Sequence, residues 1–299
     1  MNIIITGISG FVGQNLSNYL RKKSFLIDSL SLRNQFLNFN SNADAIVHLA
    51  GKAHDTKGIN DASEYFAINT ELTKKLFDAF LKSNVKDFIY FSSVKAVADN
   101  VSDILDEDIE PKPKTPYGQS KLSSEEYLLS KEIPDDKRVI IIRPCMIHGP
   151  GNKGNLNLLY NVIKNRIPYP LAAFHNERSF LGIDNLNFLI EKILLSKKIT
   201  SGIYNFADDE VLSTNELIEI ISSVLNKKKV SIAFHKEIIN TVAKVGDLIN
   251  LPMNSENVQK LTENYRVSNK KIKLALEIDK LPNTAQKGLE KTIKSFKKK

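Results

Sequence analysis

The chain has one cysteine, Cys145, in 299 residues. A lone cysteine excludes an internal disulfide and fits a reducing cytoplasm. No apolar run reaches the ~20 residues that a membrane-spanning helix needs. The first residues read as a buried strand rather than a signal peptide. The five histidines, His48, His54, His148, His175 and His235, lack paired ligand spacing, so no metal site is expected. Repeats and long low-complexity stretches are missing too. Net charge is +8, yet the lysines are scattered, with short clusters only at Lys227–Lys229 and Lys297–Lys299. No surface gathers basic and aromatic residues together, so nucleic acid is not an expected partner. A mild basic excess suits a small phosphate-bearing ligand equally well.

A hydrophobic share of 42% and a charged share of 25% are those of a soluble globular protein. The length leaves room for one large α/β domain and a smaller lobe. The chain is organised around Asn2 to Gly13. Ile3, Ile4 and Ile5 suit a strand buried on both faces. Gly7, Gly10 and Gly13 follow at a spacing of three, and a helical pattern runs from Val12 towards Lys22. Strand, glycine turn and helix form the context of a dinucleotide-binding loop. In that arrangement Gly7 permits the tight turn, Gly10 lets the backbone approach a pyrophosphate, and Gly13 lets the helix pack on the strand. The unpaired N–H groups of the helix start favour phosphate.

Strand-like and helix-like segments then alternate, which predicts a parallel sheet with helices on both faces. Strands are expected at Phe25–Leu32, Ala45–Leu49, Phe88–Phe91, Val139–Ile142 and Ile203–Phe206. Helices are expected at Ala62–Ser83 and Tyr117–Ser130, and near 156–166, 184–197 and 214–226. The dinucleotide domain spans 1–150, with pieces near 180–220 returning to it. Residues 151–180 and 221–299 form a discontinuous second lobe. Ile238–Leu251 has an amphipathic pattern, for which core packing is the commonest use.

The end of the second strand meets the adenosine ribose in such folds. Here it reads Ser29-Leu30-Ser31-Leu32-Arg33-Asn34. No carboxylate stands at the tip, and Asp28 sits inside the strand, so Arg33 favours NADP(H) over NAD(H). The stretch between Arg33 and Asp44 is too short for the helix and strand that usually fit there.

Tyr117 and Lys121 lie one helical turn apart, behind a proline-rich loop. A nearby ammonium and a cationic nicotinamide both favour the phenolate, which lets Tyr117 exchange a proton with an alcohol or carbonyl. Ser93, at a strand end, would hold the same oxygen. The spacing alone is uninformative, because Tyr19/Lys23, Tyr127/Lys131 and Tyr160/Lys164 share it. The strand-terminal serine and the Pro-Tyr-Gly helix start set Tyr117 apart.

Taken in order, Thr6-Gly7-x-x-Gly10-Phe11-x-Gly13, His48-Leu49-Ala50-Gly51, Asn69, Ser92-Ser93, Tyr117-x-x-x-Lys121, Arg143-Pro144 and His148-Gly149-Pro150-Gly151 resemble the extended short-chain dehydrogenase/reductases. Within them the nucleotide-sugar epimerases, dehydratases and reductases are the most similar. The resemblance runs from residue 2 to about 220. It implies a Rossmann-type doubly wound parallel sheet and a smaller substrate lobe. It assigns catalysis to Ser93, Tyr117 and Lys121. Cofactor contacts fall to Gly7, Gly10, Phe11, Val12, Gly13, Leu49, Ala50, Gly51, Asn69, Lys121 and Pro144. Asn155 and Arg178 would bind the diphosphate of a UDP-sugar, beside Ser93 and Tyr117. A homodimer through the helices near 62–83 and 117–130 is implied as well.

Dehydratases of this family resemble one another in an Asp-Glu pair after the catalytic hydroxyl. Here Val94-Lys95 follows Ser93, which disfavours dehydration. The resemblance leaves reduction of a UDP-4-keto-6-deoxy-N-acetylhexosamine, favoured by Arg33, and 4-epimerisation of UDP-glucose or UDP-N-acetylglucosamine. A non-catalytic dinucleotide sensor would not need the Ser-Tyr-Lys set.

Overall fold

Three consecutive isoleucines, Ile3, Ile4 and Ile5, are fully buried in β1 (Asn2–Thr6), as a central parallel strand requires. In the computed structural model the described residues are 1–32, 42–52, 62–152, 155–228, 234–248 and 254–297, the side chains of 155, 236, 256, 257 and 260 excepted. After β1 come α1 (Phe11–Lys22), β2 (Leu26–Leu30), β3 (Ala45–His48), α2 (Ala62–Tyr65), a π-helical stretch Phe66–Glu71 and α3 (Leu72–Leu81). The middle third holds β4 (Asp87–Phe91), a 3₁₀ turn Val94–Ala96, β5 (Ile104–Leu105), α4 (Pro116–Leu129), β6 (Arg138–Pro144), β7 (Met146–His148), α5 (Asn155–Lys164), β8 (Arg178–Gly182) and α6 (Ile183–Leu195). The remainder is β9 (Gly202–Phe206), β10 (Val211–Leu212), α7 (Thr214–Leu225), α8 (Lys236–Leu248), α9 (Ser255–Thr262), β11 (Arg266–Val267), α10 (Lys270–Ala275) and α11 (Ala285–Phe296).

Six parallel strands form one sheet in the order β2-β1-β3-β4-β6-β9. The chain steps from β1 to β2 on one side, then returns past β1 to β3. That reversal opens a crevice at the carboxyl ends of β1 and β3, where such sheets bind ligands. Among the described residues β2 is one edge strand of this sheet and β9 the other, the former in keeping with the short stretch that follows it. Alternate residues serve opposite faces. Ile3, Ile5, Val47, Ile89 and Ile140 pack with Leu16 of α1 and Leu186 and Ile190 of α6. Ile4, Ile46, Phe88, Tyr90 and Ile141 pack with Phe77 and Phe80 of α3 and Leu128 of α4.

A further apolar cluster joins Leu159 and Ile163 of α5, Leu217 and Ile221 of α7, Ile239 and Ala243 of α8, Val258 of α9, and Leu289 and Ile293 of α11. Between these pieces α6 and β9 return to the main sheet, β9 pairing with β6. Ile239 and Ala243 give α8 a core face, while Ile238, Val242, Val245 and Leu248 stay exposed. Leu251 lies outside the described residues. Among the described residues no helix is long and apolar enough to cross a membrane.

Two elements differ from expectation. The helix expected over Ala62–Ser83 is interrupted by the π-helical stretch, which buries the polar Asn69 and Thr70. The strand expected over Phe25–Leu32 is only β2, because its edge position leaves one side unpaired.

Candidate active site

The glycine turn is fixed by what stands against it. Gly7 has φ +68, and a β-carbon there would stand 2.8 Å from Ala50 N. A β-carbon on Gly13 would overlap Gly7 O and lie 2.7 Å from Ile8 Cα. At Gly10, only Gly7 O, at 3.2 Å, would meet an added β-carbon, so the space in front of that residue is open. Gly10 caps α1 without a side-chain hydrogen bond, leaving the first N–H groups of a helix that begins at Phe11 and Val12. An open cradle against a helix N-terminus fits a pyrophosphate. A bound dinucleotide would therefore rest on Gly7, Gly10, Phe11, Val12 and Gly13.

Next to this turn, Leu49, Ala50 and Gly51 leave β3. Ala50 N–H donates to Thr6 Oγ1 at 3.0 Å, and Thr6 Oγ1 pairs with His48 Nδ1 at 2.7 Å. His48 Nε2 meets Thr73 Oγ1 at 2.8 Å, and Thr73 donates to the Asn69 carbonyl at 2.6 Å. Since the Thr73 proton goes to Asn69, the chain of bonds is satisfied with His48 protonated on Nε2 and neutral. Burial, with Lys121 nearby, lowers its pKa to about 3. Asn69 clasps the loop after Gly51, accepting from Lys52 N at 2.7 Å and donating to Lys52 O at 3.2 Å. Its amide also donates to Ser120 Oγ at 3.0 Å, which links the loop to α4.

The proposed reacting groups sit where β4 ends and α4 begins. Thr115 caps α4 by accepting from Gly118 N at 3.3 Å, with Pro116 in the first turn. This starts the helix so that Tyr117, Ser120, Lys121 and Ser124 face β4 and the π-helical stretch. Lys121 is buried, and its Nζ donates to Phe91 O at 2.8 Å, 5.0 Å from the Tyr90 ring centre. Burial brings its pKa down to about 8, against the opposing pull of Glu125. Tyr117 packs edge-on to Tyr65 at 6.1 Å. Burial raises its phenol pKa, and the neighbouring Ser93 hydroxyl counters that rise. The Ser93 hydroxyl also accepts from Lys95 N at 3.2 Å.

Ser93, Tyr117, Pro144 and Arg178 line one cavity of about 680 Å³, together with Lys95, Cys145, Leu156, Glu263 and Tyr265. Pro144 ends β6, opposite Phe206 of β9, and Arg178 opens β8. Cys145 is buried and its thiol is pushed well up by that burial, so it is no nucleophile. Arg33, the basis of the cofactor preference, lies outside the described residues, as do His54 and Lys153-Gly154. Asn155 begins α5, but its side chain lies outside them too. Asp28 is exposed and mid-strand in β2, as expected. Among the described residues no cluster of three His, Cys, Asp or Glu could hold a metal.

Lys95 and Tyr265 line the cavity and were not singled out from the sequence as site residues. Lys95 had a signal, two places after Ser93. It donates to Asp99 O at 2.6 Å and lies 4.5 Å from the Tyr265 ring centre. Tyr265 had none: it arrives from the far end of the chain beside β11, which pairs with β5. Its hydroxyl donates to Ala98 O at 2.7 Å, binding the turn after Ser93.

The parallel sheet, its flanking helices and the glycine turn after β1 make a Rossmann-type fold. The chain belongs to the NAD dependent epimerase/dehydratase family, whose model matches residues 3–205. It is 30% identical over 250 residues to the UDP-glucose 4-epimerase of Vibrio cholerae, covering 76% of each chain. Against the GDP-6-deoxy-D-mannose reductase of Pseudomonas aeruginosa the identity is 25% over 244 residues, covering 74% of this chain and 79% of that one. Among solved structures, MoeE5 in complex with UDP-glucose and NAD has a TM-score of 0.76 at 16% identity, covering 100% of this chain and 99% of that one. RMD from Pseudomonas aeruginosa, complexed with NADPH, has a TM-score of 0.75 at 20% identity, with the same coverage. At such identities the two structures speak for the fold alone.

Proposed function

We propose that the chain moves a hydride at C4 of a UDP-linked hexose, and that its overall reaction is 4-epimerisation. The observation that carries this is that Ser93 and Tyr117 share the wall of one large cavity, with Lys121 anchored at the same strand end. A dinucleotide held at the glycine turn would supply a reversible hydride acceptor, so that hydride taken from one face of C4 could be returned to the other. Tyr117 takes the proton of the C4 hydroxyl and later gives it back. Ser93 holds that oxygen in line with the phenol. Lys121, a buried cation, stabilises the phenolate across the low-dielectric site. Arg178 suits the diphosphate, since a guanidinium fork matches phosphate oxygens. The Vibrio cholerae relative supports epimerisation.

A second reading is reduction of a UDP-4-keto-6-deoxy-N-acetylhexosamine by NADPH. It is favoured by the absence of a carboxylate at the end of β2, where Asp28 is mid-strand, and by the Pseudomonas aeruginosa reductase among the relatives. Mass analysis separates the two. The purified chain is incubated with UDP-N-acetylglucosamine and NAD, and with the 4-keto-6-deoxy derivative and NADH or NADPH. An isobaric product at unchanged cofactor level selects the epimerase. A gain of two hydrogens with cofactor oxidation selects the reductase. Turnover of neither by the folded, dinucleotide-binding chain overturns both.

A further inference from the structure

Three consecutive residues at the end of β4 each meet a different turn of α4. The Phe91 carbonyl accepts from Lys121 Nζ at 2.8 Å. The Ser92 hydroxyl donates to Glu125 Oε1. Ser93 stands beside Tyr117 on one cavity wall. Tyr117, Lys121 and Glu125 are spaced by four, so they share one face of the helix. The reaction proposed above uses the first and third of these contacts and gives the middle one no task.

That middle tie is built with care. Glu125 and Arg143 are 1% and 2% exposed. Arg143, from β6, donates through Nε to Oε1 and Oε2 at 3.0 and 3.1 Å, and through Nη2 to Oε2 at 2.5 Å. Its Nη1 has no hydrogen-bond partner, so the guanidinium gives up part of its capacity to hold this carboxylate. A buried ion pair is a weak source of stability, because desolvation offsets most of the attraction. What the pair does provide is direction. It fixes one carboxylate oxygen as the acceptor for Ser92, whose backbone N–H is already held by Ile142 O at 2.8 Å. With side chain and backbone both fixed, the next residue is aimed. Ser93 follows in extended conformation, φ −163 and ψ 150, on the cavity wall it shares with Tyr117.

We infer that the Arg143–Glu125 pair is a positioning device for the hydride-transfer reaction: it grips Ser92 and thereby sets the Ser93 hydroxyl against the Tyr117 phenol. Neither Glu125 nor Ser92 touches the cavity, so both act through Ser93. The inference rests on the reading that Ser93 and Tyr117 handle the substrate oxygen.

The test removes the grip and leaves the ion pair intact. Ser92→Ala deletes one hydroxyl, and Ser92→Thr restores it. The chain has no tryptophan, so tyrosinate absorbance in the near ultraviolet is clear of overlap, and subtracting Tyr117→Phe isolates one phenol. Tyr65 of α2 and Tyr90 of β4 are the other titratable groups facing that phenol. Both they and Lys121, one turn along α4, are unchanged in the variants. In the complex with oxidised dinucleotide, Tyr117 should titrate at higher pH in Ser92→Ala, because the neighbouring Ser93 hydroxyl, which lowers it, is no longer held in place. Ser92→Thr should return it. In turnover, kcat of Ser92→Ala should fall about tenfold with the dinucleotide KM unchanged. A Ser92→Ala chain that titrates and turns over like the parent overturns the inference. So does one whose dinucleotide affinity falls as far as its kcat, which marks a merely structural loss. The phenol titration uses no sugar, so a parent chain that turns over no UDP-hexose sinks the proposed function and still leaves the grip on Ser93 measured.

Discussion

Gly51 lies directly over the ammonium of Lys121: a β-carbon on Gly51 would stand 3.3 Å from Nζ and 2.9 Å from Asn69 Oδ1. The loop after β3 and the buried face of α4 thus form one surface. Asn69 joins them, clasping Lys52 on one side and Ser120 on the other. A dinucleotide resting on the glycine turn of β1 would run past this junction to reach the cavity wall. Cofactor loop and reacting residues are parts of one hydrogen-bonded unit.

Tyr117→Phe isolates the proton transfer. The ring keeps its edge contact with Tyr65, so fold and dinucleotide affinity should match the parent. Turnover should fall by about 10²–10⁴, the usual contribution of a positioned acid–base group. Steady-state kinetics with a dinucleotide-binding titration check this. Activity near the parent level would remove Tyr117 from the chemistry.

Lys121→Met tests the ammonium through pH. Burial lowers the lysine from 10.5 to about 8. If the charged form serves the reaction, kcat/KM of the parent declines as pH rises through about 8, and the variant shows a low rate without that limb. Stability moves the other way. Between about 8 and 10.5 the unfolded chain binds a proton that the folded chain does not, so parent stability gains with pH in that window. The variant lacks the gain. Paired pH–rate profiles and denaturant titrations read both effects, and parallel curves for the two proteins would contradict the assignment.

The local part of this site was legible in sequence. Strand, glycine turn and helix lie within Asn2–Lys22, and Tyr117 and Lys121 share a helix face by spacing alone. The spacing did not show which pair mattered. In the folded chain Lys23, Lys131 and Lys164 each lie over the ring of their own tyrosine, Tyr19, Tyr127 and Tyr160. Lys121 turns to Phe91 and Tyr90 instead. Three features had no local signature. The π-helical stretch depends on burying Asn69 against α4. The Glu125–Arg143 pair forms only when α4 packs on β6. Tyr265 reaches Ala98 across most of the chain, through the pairing of β11 with β5.

Gly10→Ala and Gly13→Ala should separate binding from folding. The Gly13 β-carbon overlaps backbone atoms that cannot yield, Ile8 Cα at 2.7 Å among them. That variant should lose both thermal stability and dinucleotide affinity. A β-carbon on Gly10 meets only Gly7 O, at 3.2 Å, and otherwise fills the open cradle. Gly10→Ala should therefore melt close to the parent while its dinucleotide affinity falls at least about tenfold, the equivalent of ~1.4 kcal/mol. Melting curves with and without dinucleotide give both numbers. Unchanged affinity in Gly10→Ala would move the pyrophosphate away from this turn.

His48→Gln addresses the relay from Ala50 to Asn69. The histidine is buried and neutral, with its pKa lowered from 6.5 to about 3. Above pH 6.5 neither folded nor unfolded chain protonates it. Below that, the unfolded chain gains a proton that the folded chain refuses, so stability drains as pH falls, by up to about 1.4 kcal/mol per pH unit. Glutamine cannot titrate, and its amide spans only part of the gap between Thr6 and Thr73. At neutral pH the variant should be less stable by about 1–3 kcal/mol, the cost of leaving buried polar groups poorly paired. Its acid limb should be shallower, so the two stabilities converge towards pH 4. Urea titrations at stepped pH measure the difference, in which carboxylates common to both proteins cancel. A difference that stays constant across the range would mean that His48 does not stay neutral in the folded core.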